Sequence, residues 1–346
     1  AGRDASAEPR RRSSARVAFR RLPGLTTGTA FGPLGSKGLS RWKREVPRVE
    51  DVRVRSSRDG SRQRALWVPP PRGAGGDRPL LVVLHSWSTP YTQHLGIPYA
   101  DWARRNGWAM IAPNFRGINT TAQAAGSELA VQDVVDAIDY AGDRGRVDER
   151  RVYVVGFSGG GMMSLLVAGR HPDRIAGAAA WVPVHDLSDW HRYNAEQDPR
   201  RDYADHIEAA CGGDPARSPD ARRECNRRSP RTYLDAARRA RVPVYIGHGL
   251  DDTLVRPSHA LRAFNQLANE DDRIGRRSLR RVKNNALPDH LRGARDAPTH
   301  FGRQDPDVLF SRRSGSTTLA IFEGEHDLVF NPALRWMARI DAGDER

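Results

Sequence analysis

The residues best suited to catalysis form the run Gly-Phe-Ser-Gly-Gly at 156–160, with Ser158 at its centre. An apolar run at 151–155 precedes it, and a stretch of helix-compatible composition at 161–168 follows it. A serine between a strand and a helix lies on a sharp turn that lifts its hydroxyl above a parallel sheet, and the flanking glycines leave room for neighbouring backbone. The pattern predicts that Ser158 is a nucleophile for acyl transfer.

A serine hydroxyl becomes a good nucleophile when a histidine accepts its proton and a carboxylate orients that histidine. When the serine lies on such a turn, the acid and then the histidine follow it along the chain, each in a loop after a later strand. Of the eleven histidines, only His326 lies in a short turn between the last predicted strand (317–322) and a final helix predicted at 332–340. We therefore predict that His326 is the base.

Two adjacent carboxylates, Asp251 and Asp252, follow a buried strand that is predicted at 242–247. Either could orient the imidazole of His326, but only one of two adjacent side chains can point toward it. The residues alone leave this choice open.

Four segments together resemble the catalytic domain of the prolyl oligopeptidase family and its esterase relatives, within the α/β-hydrolase superfamily. They are H-G-x-x-D-x-x-V at 248–255, G-x-H at 324–326, P-N-F-R-G at 113–117 and an acidic helix predicted at 128–140. The resemblance covers about residues 50–346. It implies an α/β-hydrolase fold and a serine peptidase or esterase, with Ser158, Asp252 and His326 as the catalytic triad.

Acyl transfer builds negative charge on the substrate carbonyl oxygen, and two backbone N–H groups usually stabilise it; losing one raises the barrier by ~2.7–4 kcal/mol. The first predicted donor is the amide of Gly159, the residue after the nucleophile. The second is predicted within His-Ser-Trp-Ser at 85–88, after a strand predicted at 79–84. Relatives commonly have glycine where Ser86 stands. By position we predict the amide of Trp87 as this donor, with Ser86 as the alternative.

Strands and helices alternate after residue 75, which predicts a mostly parallel sheet covered by helices on both faces. Eight strands are predicted, at 51–56, 64–68, 79–84, 107–112, 151–155, 175–182, 242–247 and 317–322. The first two are joined by Arg-Asp-Gly at 58–60 and are expected to form an antiparallel hairpin at the sheet edge. The predicted class is therefore α/β, an α/β-hydrolase fold with an eight-stranded sheet and a cap insertion.

The chain divides by composition into an arm and one domain. Residues 1–48 are rich in Arg, Gly, Ser and Pro and are predicted to be a basic arm, extended or partly disordered. Residues 49–346 are predicted to form the hydrolase domain, with a cap insertion at about 184–240 and a basic insertion at about 271–315. The peptidases of the resembled family carry a β-propeller before this domain. Only about fifty residues precede the first predicted strand, so we expect no propeller here.

The formal net charge is +14, and arginine carries almost all of the positive charge. One explanation is genomic base composition, and the other is attraction to an acidic polymer. The basic residues are scattered without a nucleic-acid-binding motif, so no specific nucleic acid is expected. No segment approaches the ~20 apolar residues of a membrane span. The expected partner is a small-molecule or peptide substrate, with an acidic polymer as a further candidate.

The two cysteines, Cys211 and Cys225, lie close together in one polar segment. A disulfide between them would close a loop of about 15 residues, worth ~3 kcal/mol. Such a pair favours an oxidising compartment, as for a secreted or cell-envelope protein, and the alternative is two free thiols in a cytoplasmic one. The spacing does not suit a zinc site, and we expect no metal and no cofactor.

These residues together predict a serine hydrolase that cleaves an ester or a peptide bond through an acyl-enzyme. Both substrate classes stay open, because a fold does not determine the substrate. An acyltransferase or peptide cyclase could use the same triad by excluding water. A non-catalytic scaffold that binds an acidic polymer through its arginines is the third hypothesis, and the intact triad argues against it.

Overall fold

The computed structural model describes residues 35–73, 76–197, 201–282 and 284–344, and within them nine strands form one sheet. The strands are β1 (Glu50–Arg55), β2 (Arg62–Val68), β3 (Arg78–Leu84), β4 (Ala109–Pro113), β5 (Val147–Phe157), β6 (Gly177–Trp181), β7 (Val244–Gly249), β8 (Val308–Ser314) and β9 (Thr317–Phe322). Their order is β1-β2-β4-β3-β5-β6-β7-β9-β8. The pairs β1–β2, β2–β4 and β8–β9 are antiparallel and the others are parallel, which confirms the predicted, mostly parallel sheet.

Helices cover both faces of this sheet. The described helices are α1 (Leu39–Glu45), α2 (Gly96–Arg105), α3 (Glu128–Asp143), α4 (Gly159–Arg170), α5 (Leu187–Ala195), α6 (Arg201–Cys211), α7 (Pro219–Arg227), α8 (Leu234–Arg239), α9 (Ser258–Leu267), α10 (Arg276–Val282) and α11 (Phe330–Ala342). Successive residues of a strand point to opposite faces. In β3, Leu80 and Val82 therefore belong to the buried cluster that includes residues of α3, α4 and α9, while Leu81 and Val83 belong to the cluster on the other face, with residues of α2 and α11.

The predicted count of eight strands was wrong by one, because β8 lies inside the predicted basic insertion. It pairs with β9 across a tight turn, in which Gly315 has a φ of 53°. The arginines Arg312 and Arg313 made this segment resemble a loop. Both arginines are only half-buried at this end of the sheet, which allows charged side chains within the strand.

The predicted N-terminal arm is described only from residue 35 onward; residues 1–34 lie outside the described part. The segment 39–45 is helix α1 and is not extended. Its Trp42 is fully buried, and the indole packs so close to Gly96 that a side chain there would begin 2.7 Å from it. Burial of one large aromatic side chain thus stabilises a helix that the composition of the arm did not indicate.

Helices α5–α8 occupy the segment that was predicted to be a cap. The disulfide Cys211–Cys225, with 5.4 Å between the Cα atoms, joins the end of α6 to α7. Helix α10 and strand β8 lie in the segment predicted to be a basic insertion. No helix in the described part of the chain is long and apolar enough to cross a bilayer.

Candidate active site

Ser158 lies on a sharp turn between β5 and α4. Its backbone has a φ of 57° and a ψ of −115°, and its N–H donates to the carbonyl of Trp181 at 2.9 Å. The turn brings two backbone segments into contact, since a Cβ at Gly156 would lie 2.1 Å from the carbonyl oxygen of Gly160. A left-handed φ at a non-glycine residue is strained, and strain of this kind clusters at functional sites. The tight turn explains why glycine is needed beside Ser158.

Three side chains from distant parts of the sequence meet at this turn. The Nε2 atom of His326 lies 3.0 Å from Oγ of Ser158, and its Nδ1 atom lies 2.7 Å from Oδ2 of Asp252. A buried carboxylate that accepts from Nδ1–H leaves Nε2 free to accept the serine proton. The structure thus brings together Ser158, Asp252 and His326 as the sequence predicts, in the geometry that proton transfer from the hydroxyl requires.

The choice between the two adjacent carboxylates follows from burial. Asp251 is exposed, whereas Asp252 is fully buried. Oδ1 of Asp252 accepts from the backbone N–H groups of Leu254 at 2.8 Å and Val255 at 2.9 Å, which leaves Oδ2 for the imidazole. Burial alone would raise the pKa of Asp252, but the charge of His326 and hydrogen bonds from the neighbouring histidines hold its pKa well below the ordinary value. Asp252 is therefore ionised at neutral pH.

Two further residues hold the loop of Asp252, and sequence reasoning missed both. Nε2 of His248 lies 3.2 Å from Oδ2 of Asp252 and donates to the carbonyl of Val255 at 2.7 Å. Nδ2 of Asn285 donates to the carbonyls of Leu250 and Asp252 at 2.8 and 2.9 Å. The H-G-x-x-D spacing carried a signal for His248. No signal pointed to Asn285, which lies 33 residues beyond the acid.

The turn after β3 places the backbone nitrogen of Trp87 close to Gly159, the residue after Ser158. Among the described residues, no acceptor is paired with the amide of Trp87, and a Cβ at Gly159 would lie only 2.7 Å from that nitrogen. The N–H of Ser86 donates instead to Oε1 of Gln93 at 2.9 Å, so the alternative donor is already engaged. Gly159 is the first residue of α4, where an N–H has no partner within the helix. The amides of Trp87 and Gly159 are thus close together and available.

Side chains hold this turn on both sides of Trp87. The buried Asn119 donates to the carbonyl of Trp87 through its backbone N–H at 2.9 Å and through Nδ2 at 3.2 Å. Its Oδ1 accepts from the backbone N–H of Ala125 at 2.8 Å, which fixes the amide plane. On the other side, Oγ of Ser86 accepts from Nε2 of Gln93 at 3.0 Å. The serine that replaces the glycine of relatives therefore contributes a hydrogen bond that glycine lacks.

A cavity of about 300 Å³ opens beside Ser158 and His326. Its walls include the aromatic residues Trp87, Phe157 and Tyr203, together with Lys37 from the segment before α1. Its volume lies at the lower end of the ~300–1,000 Å³ that is typical of ligand sites. The cavity therefore suits a small substrate group that contains an aromatic ring.

Aromatic contacts connect the cavity wall to the cap. Trp87 packs edge-on against Trp190 of α5, with 4.9 Å between the ring centroids, and Trp190 packs against Tyr203 of α6 at 5.2 Å. Nε1 of Trp87 donates to Nδ1 of His206 at 3.4 Å. The residue that carries the free amide in its backbone thus anchors the cap with its side chain.

One group of metal-ligating side chains occurs in the described part of the chain, formed by His191, Glu208 and Asp214 in the cap. Each of its carboxylates faces an arginine: Glu208 lies 2.7 Å from Arg201, and Asp214 lies 3.4 Å from Arg217. These guanidinium groups already supply the positive charge that a cation would bring. The arrangement is that of an ion-pair cluster on the cap.

The model of the prolyl oligopeptidase family matches residues 99–280. Feruloyl esterase B of Thermothelomyces thermophilus is 25% identical over 213 residues, which span 55% of this chain and 65% of that protein. Acylamino-acid-releasing enzyme 1 of Oryza sativa subsp. japonica is 31% identical over 123 residues, 32% of this chain and 15% of that protein. The chain thus aligns with less than two thirds of the length of either relative.

Among solved structures, a putative dipeptidyl aminopeptidase IV from Bacteroides ovatus superposes with a TM-score of 0.56 at 15% sequence identity. The superposition covers 87% of this chain and 36% of that structure. At this identity the likeness shows the fold alone, and it confirms the predicted α/β-hydrolase fold.

Proposed function

The chain belongs to the prolyl oligopeptidase family, and we propose that it is a serine esterase that cleaves its substrate through an acyl-enzyme formed on Ser158. The observation that carries this proposal is the continuous hydrogen-bond relay from Asp252 through His326 to Ser158, at 2.7 and 3.0 Å. Each of the three side chains is buried or nearly so, which strengthens the electrostatic interactions between them.

The proposed reaction starts when Oγ of Ser158 attacks the ester carbonyl and its proton passes to Nε2 of His326. Asp252 accepts the Nδ1–H bond throughout and stabilises the imidazolium that forms. The oxygen that becomes negative accepts hydrogen bonds from the amides of Gly159 and Trp87. His326 then returns the proton to the leaving alcohol as the carbon–oxygen bond breaks.

The second half-reaction repeats these steps with water as the nucleophile. His326 accepts a proton from water, the resulting hydroxide attacks the acyl-enzyme, and collapse of the intermediate returns the proton to Ser158 and releases the carboxylic acid. No group beyond these side chains and backbone amides is needed to balance the protons. The proposal therefore includes neither a metal nor a cofactor.

We assign an ester with an aromatic acyl group as the proposed substrate class. Trp87, Phe157 and Tyr203 line the cavity beside the nucleophile and offer flat apolar surfaces to an aromatic ring. The similarity to a feruloyl esterase supports the same class, because the alignment covers 55% of this chain and 65% of that protein. Its match is also longer than that of the peptidase relative.

A peptidase is the second candidate, favoured by the family match and by the higher identity to the acylamino-acid-releasing enzyme. Amide cleavage uses the same triad, but the leaving amine must be protonated by the histidine before it departs. The geometry of the triad therefore does not distinguish the two candidates, and their substrates do.

The test uses a fluorophosphonate probe on the wild type beside Ser158→Ala, followed by a matched pair of substrates. We expect labelling of the wild type alone, and release of para-nitrophenol from the para-nitrophenyl ester of hydrocinnamic acid without release of para-nitroaniline from its anilide. Because serine peptidases also cleave activated esters, turnover of the anilide that Ser158→Ala abolishes would establish the peptidase. Product formation only with an added amine or alcohol acceptor would establish an acyltransferase. A folded wild type that the probe does not label would overturn the proposed nucleophile.

We also propose that the protein works in an oxidising compartment, outside the cell or in its envelope. The disulfide Cys211–Cys225 supports this, because such bonds persist there and are rare in the cytosol. Because both cysteines are buried in the folded protein, the test uses denatured, unreduced protein, in which alkylation should modify neither cysteine. Two modified cysteines would indicate the cytosolic alternative.

A further inference from the structure

Lys37 lines the same cavity as Ser158 and His326. Its side chain is exposed, and no carboxylate pairs with its ammonium among the described residues. Two arginines of the following helix differ in this respect, since Arg41 and Arg44 both pair with Glu45, at 2.8 and 3.2 Å. Among the described residues, Lys37 is therefore a positive charge at the cavity without a counter-charge.

Several hydrogen bonds fix the backbone that carries Lys37. Residues Ser36 and Gly38 are bonded to the opposite segment through His94 and Thr92: the N–H of His94 donates to Ser36 at 2.9 Å, and that of Gly38 donates to Thr92 at 3.2 Å. The imidazole of His94 also contacts both residues, Oγ of Ser36 at 2.7 Å and the carbonyl of Gly38 at 3.1 Å. These contacts on either side hold Lys37 at the rim of the cavity.

The same segment is connected to the turn that presents the free amide. Lys37 forms an isolated β-bridge with Gln93, and the side chain of Gln93 accepts the N–H of Ser86 at 2.9 Å. Gln93 thus links the backbone of Lys37 to the turn that carries Ser86 and Trp87.

The lining of the cavity contains no acidic side chain among the described residues. Apart from Lys37 and the pair Ser158 and His326, its polar side chains carry hydroxyls, which are neutral hydrogen-bonding groups: Ser86, Ser88, Thr89 and Tyr203. The net charge of +14 adds a positive potential around the whole molecule, which favours the approach of anions. A neutral substrate would leave Lys37 without a role, whereas an anionic one would pair with it.

We propose that Lys37 is a specificity-determining residue and that the preferred substrate is an ester carrying a carboxylate, which pairs with the Lys37 ammonium while the scissile carbonyl lies at Ser158. This inference rests on the proposed esterase function. It adds the charge of the substrate to the aromatic character that the cavity walls indicate.

The test compares isosteric esters that differ only in charge. On the acyl side, the pair is the para-nitrophenyl ester of para-carboxyhydrocinnamic acid and that of its para-carbamoyl analogue. On the alcohol side, the pair is the para-carboxyphenyl and para-carbamoylphenyl esters of hydrocinnamic acid. The ratio of kcat/KM within each pair isolates the charge, and comparison of the two pairs shows which part of the substrate bears it.

In wild type we expect the carboxylate ester of at least one pair to have the higher kcat/KM. Lys37→Met should lower kcat/KM for that ester by about 3–10-fold, mainly through KM, and Lys37→Glu should lower it further. The neutral ester of the pair should change by less than about twofold, and the charge effect should shrink as salt is added. Lys43→Glu is the matched control, since it reverses an exposed lysine of the same segment that does not line the cavity.

Equal losses on the charged and neutral esters would overturn the inference and give Lys37 a structural role. Unchanged ratios in both Lys37 variants would overturn it as well. These outcomes leave the esterase function intact, because the neutral esters are still cleaved. If wild type cleaves none of the four esters, the proposed function fails and the inference fails with it.

Discussion

At the carboxyl edge of the sheet, the carboxylate of Asp252 is fixed by two backbone N–H groups and an imidazole inside the protein. In helices α5–α8, the segment predicted to be a cap, several charged contacts join an arginine to a carboxylate one turn away on the same helix, as Arg223 does with Asp220 and Arg227 with Glu224. The first kind of contact is buried and directional, whereas the second is largely exposed to solvent. The two regions meet at the site, yet they are stabilised in different ways.

The contrast indicates where the molecule needs precision. Exposed ion pairs contribute ~0–1 kcal/mol and leave side chains free to move. Buried, fully satisfied hydrogen bonds fix atoms, and losing one partner costs more because the other is left unpaired. We therefore expect changes at the carboxyl ends of the strands, around Asp252, to affect kcat, and changes in helices α5–α8 to affect stability or KM.

The largest effect is expected at the acid. Asp252→Asn replaces an acceptor of the Nδ1–H bond by an amide, which favours the wrong tautomer of His326, and should lower kcat by about 10⁴-fold. Asp251→Asn is the matched control, and because Asp251 is exposed it should change kcat by less than about twofold. Steady-state kinetics of both variants on one ester decides the matter. Similar losses in the two would mean that the acid is not Asp252 alone.

A smaller effect is expected at the turn that carries Trp87. Asn119→Ala removes the Nδ2–H bond to the carbonyl of Trp87 and leaves the N–H of Ala125 unpaired. We expect kcat to fall about 10-fold with little change in KM, less than the 10²–10³-fold cost of deleting a donor. Binding of a boronic acid that mimics the tetrahedral intermediate should weaken in parallel.

The control for this variant is Ile118→Ala, which changes the neighbouring residue, an exposed side chain on the same loop. It should leave both kcat and inhibitor binding unchanged. If Asn119→Ala raises KM and spares kcat, then the turn serves substrate binding, and the comparison between edge and cap is wrong at this position.

The smallest effect on catalysis is expected from the disulfide of the cap. The double variant Cys211→Ala and Cys225→Ala should lower the free energy of unfolding by ~3 kcal/mol, since the closed loop has about 15 residues. Because the bond holds α6 to α7 and touches no group of the triad, kcat should change by less than about twofold. Urea unfolding and ester kinetics measure the two quantities. A matching fall in kcat would show that the cap shapes the reacting geometry.

The strand–turn–helix around Ser158 was predictable because the pattern is local: an apolar run, a glycine-flanked serine and a helical stretch lie within twenty residues. His326 and the pair Asp251 and Asp252 were predicted from their order along the chain and from their places directly after predicted strands. The resemblance to the family then favoured Asp252 over its neighbour. The structure brings these residues together, and their catalytic roles stay a prediction until the variants are measured.

The residues that hold the site in place were not predictable in the same way. Asn119 reaches a carbonyl 32 residues earlier, and Asn285 reaches carbonyls 33 and 35 residues earlier, so neither contact has a local pattern. Strand β8 was missed for a related reason, because its arginines obscure the apolar pattern and only its pairing with β9 identifies it as a strand. Such features depend on tertiary packing and become visible only in the fold.

Strand β8 ends the sheet, yet its outer side is already engaged by the segment 293–296. The N–H of Gly293 donates to the carbonyl of Leu309 at 2.9 Å, the N–H of Ser311 donates to that of Ala294 at 3.0 Å, and the N–H of Asp296 donates to that of Ser311 at 3.2 Å. An uncovered edge strand has free N–H and C=O groups that can pair with a strand of another molecule. The segment 293–296 occupies these groups and so opposes the addition of a foreign strand at this end of the sheet.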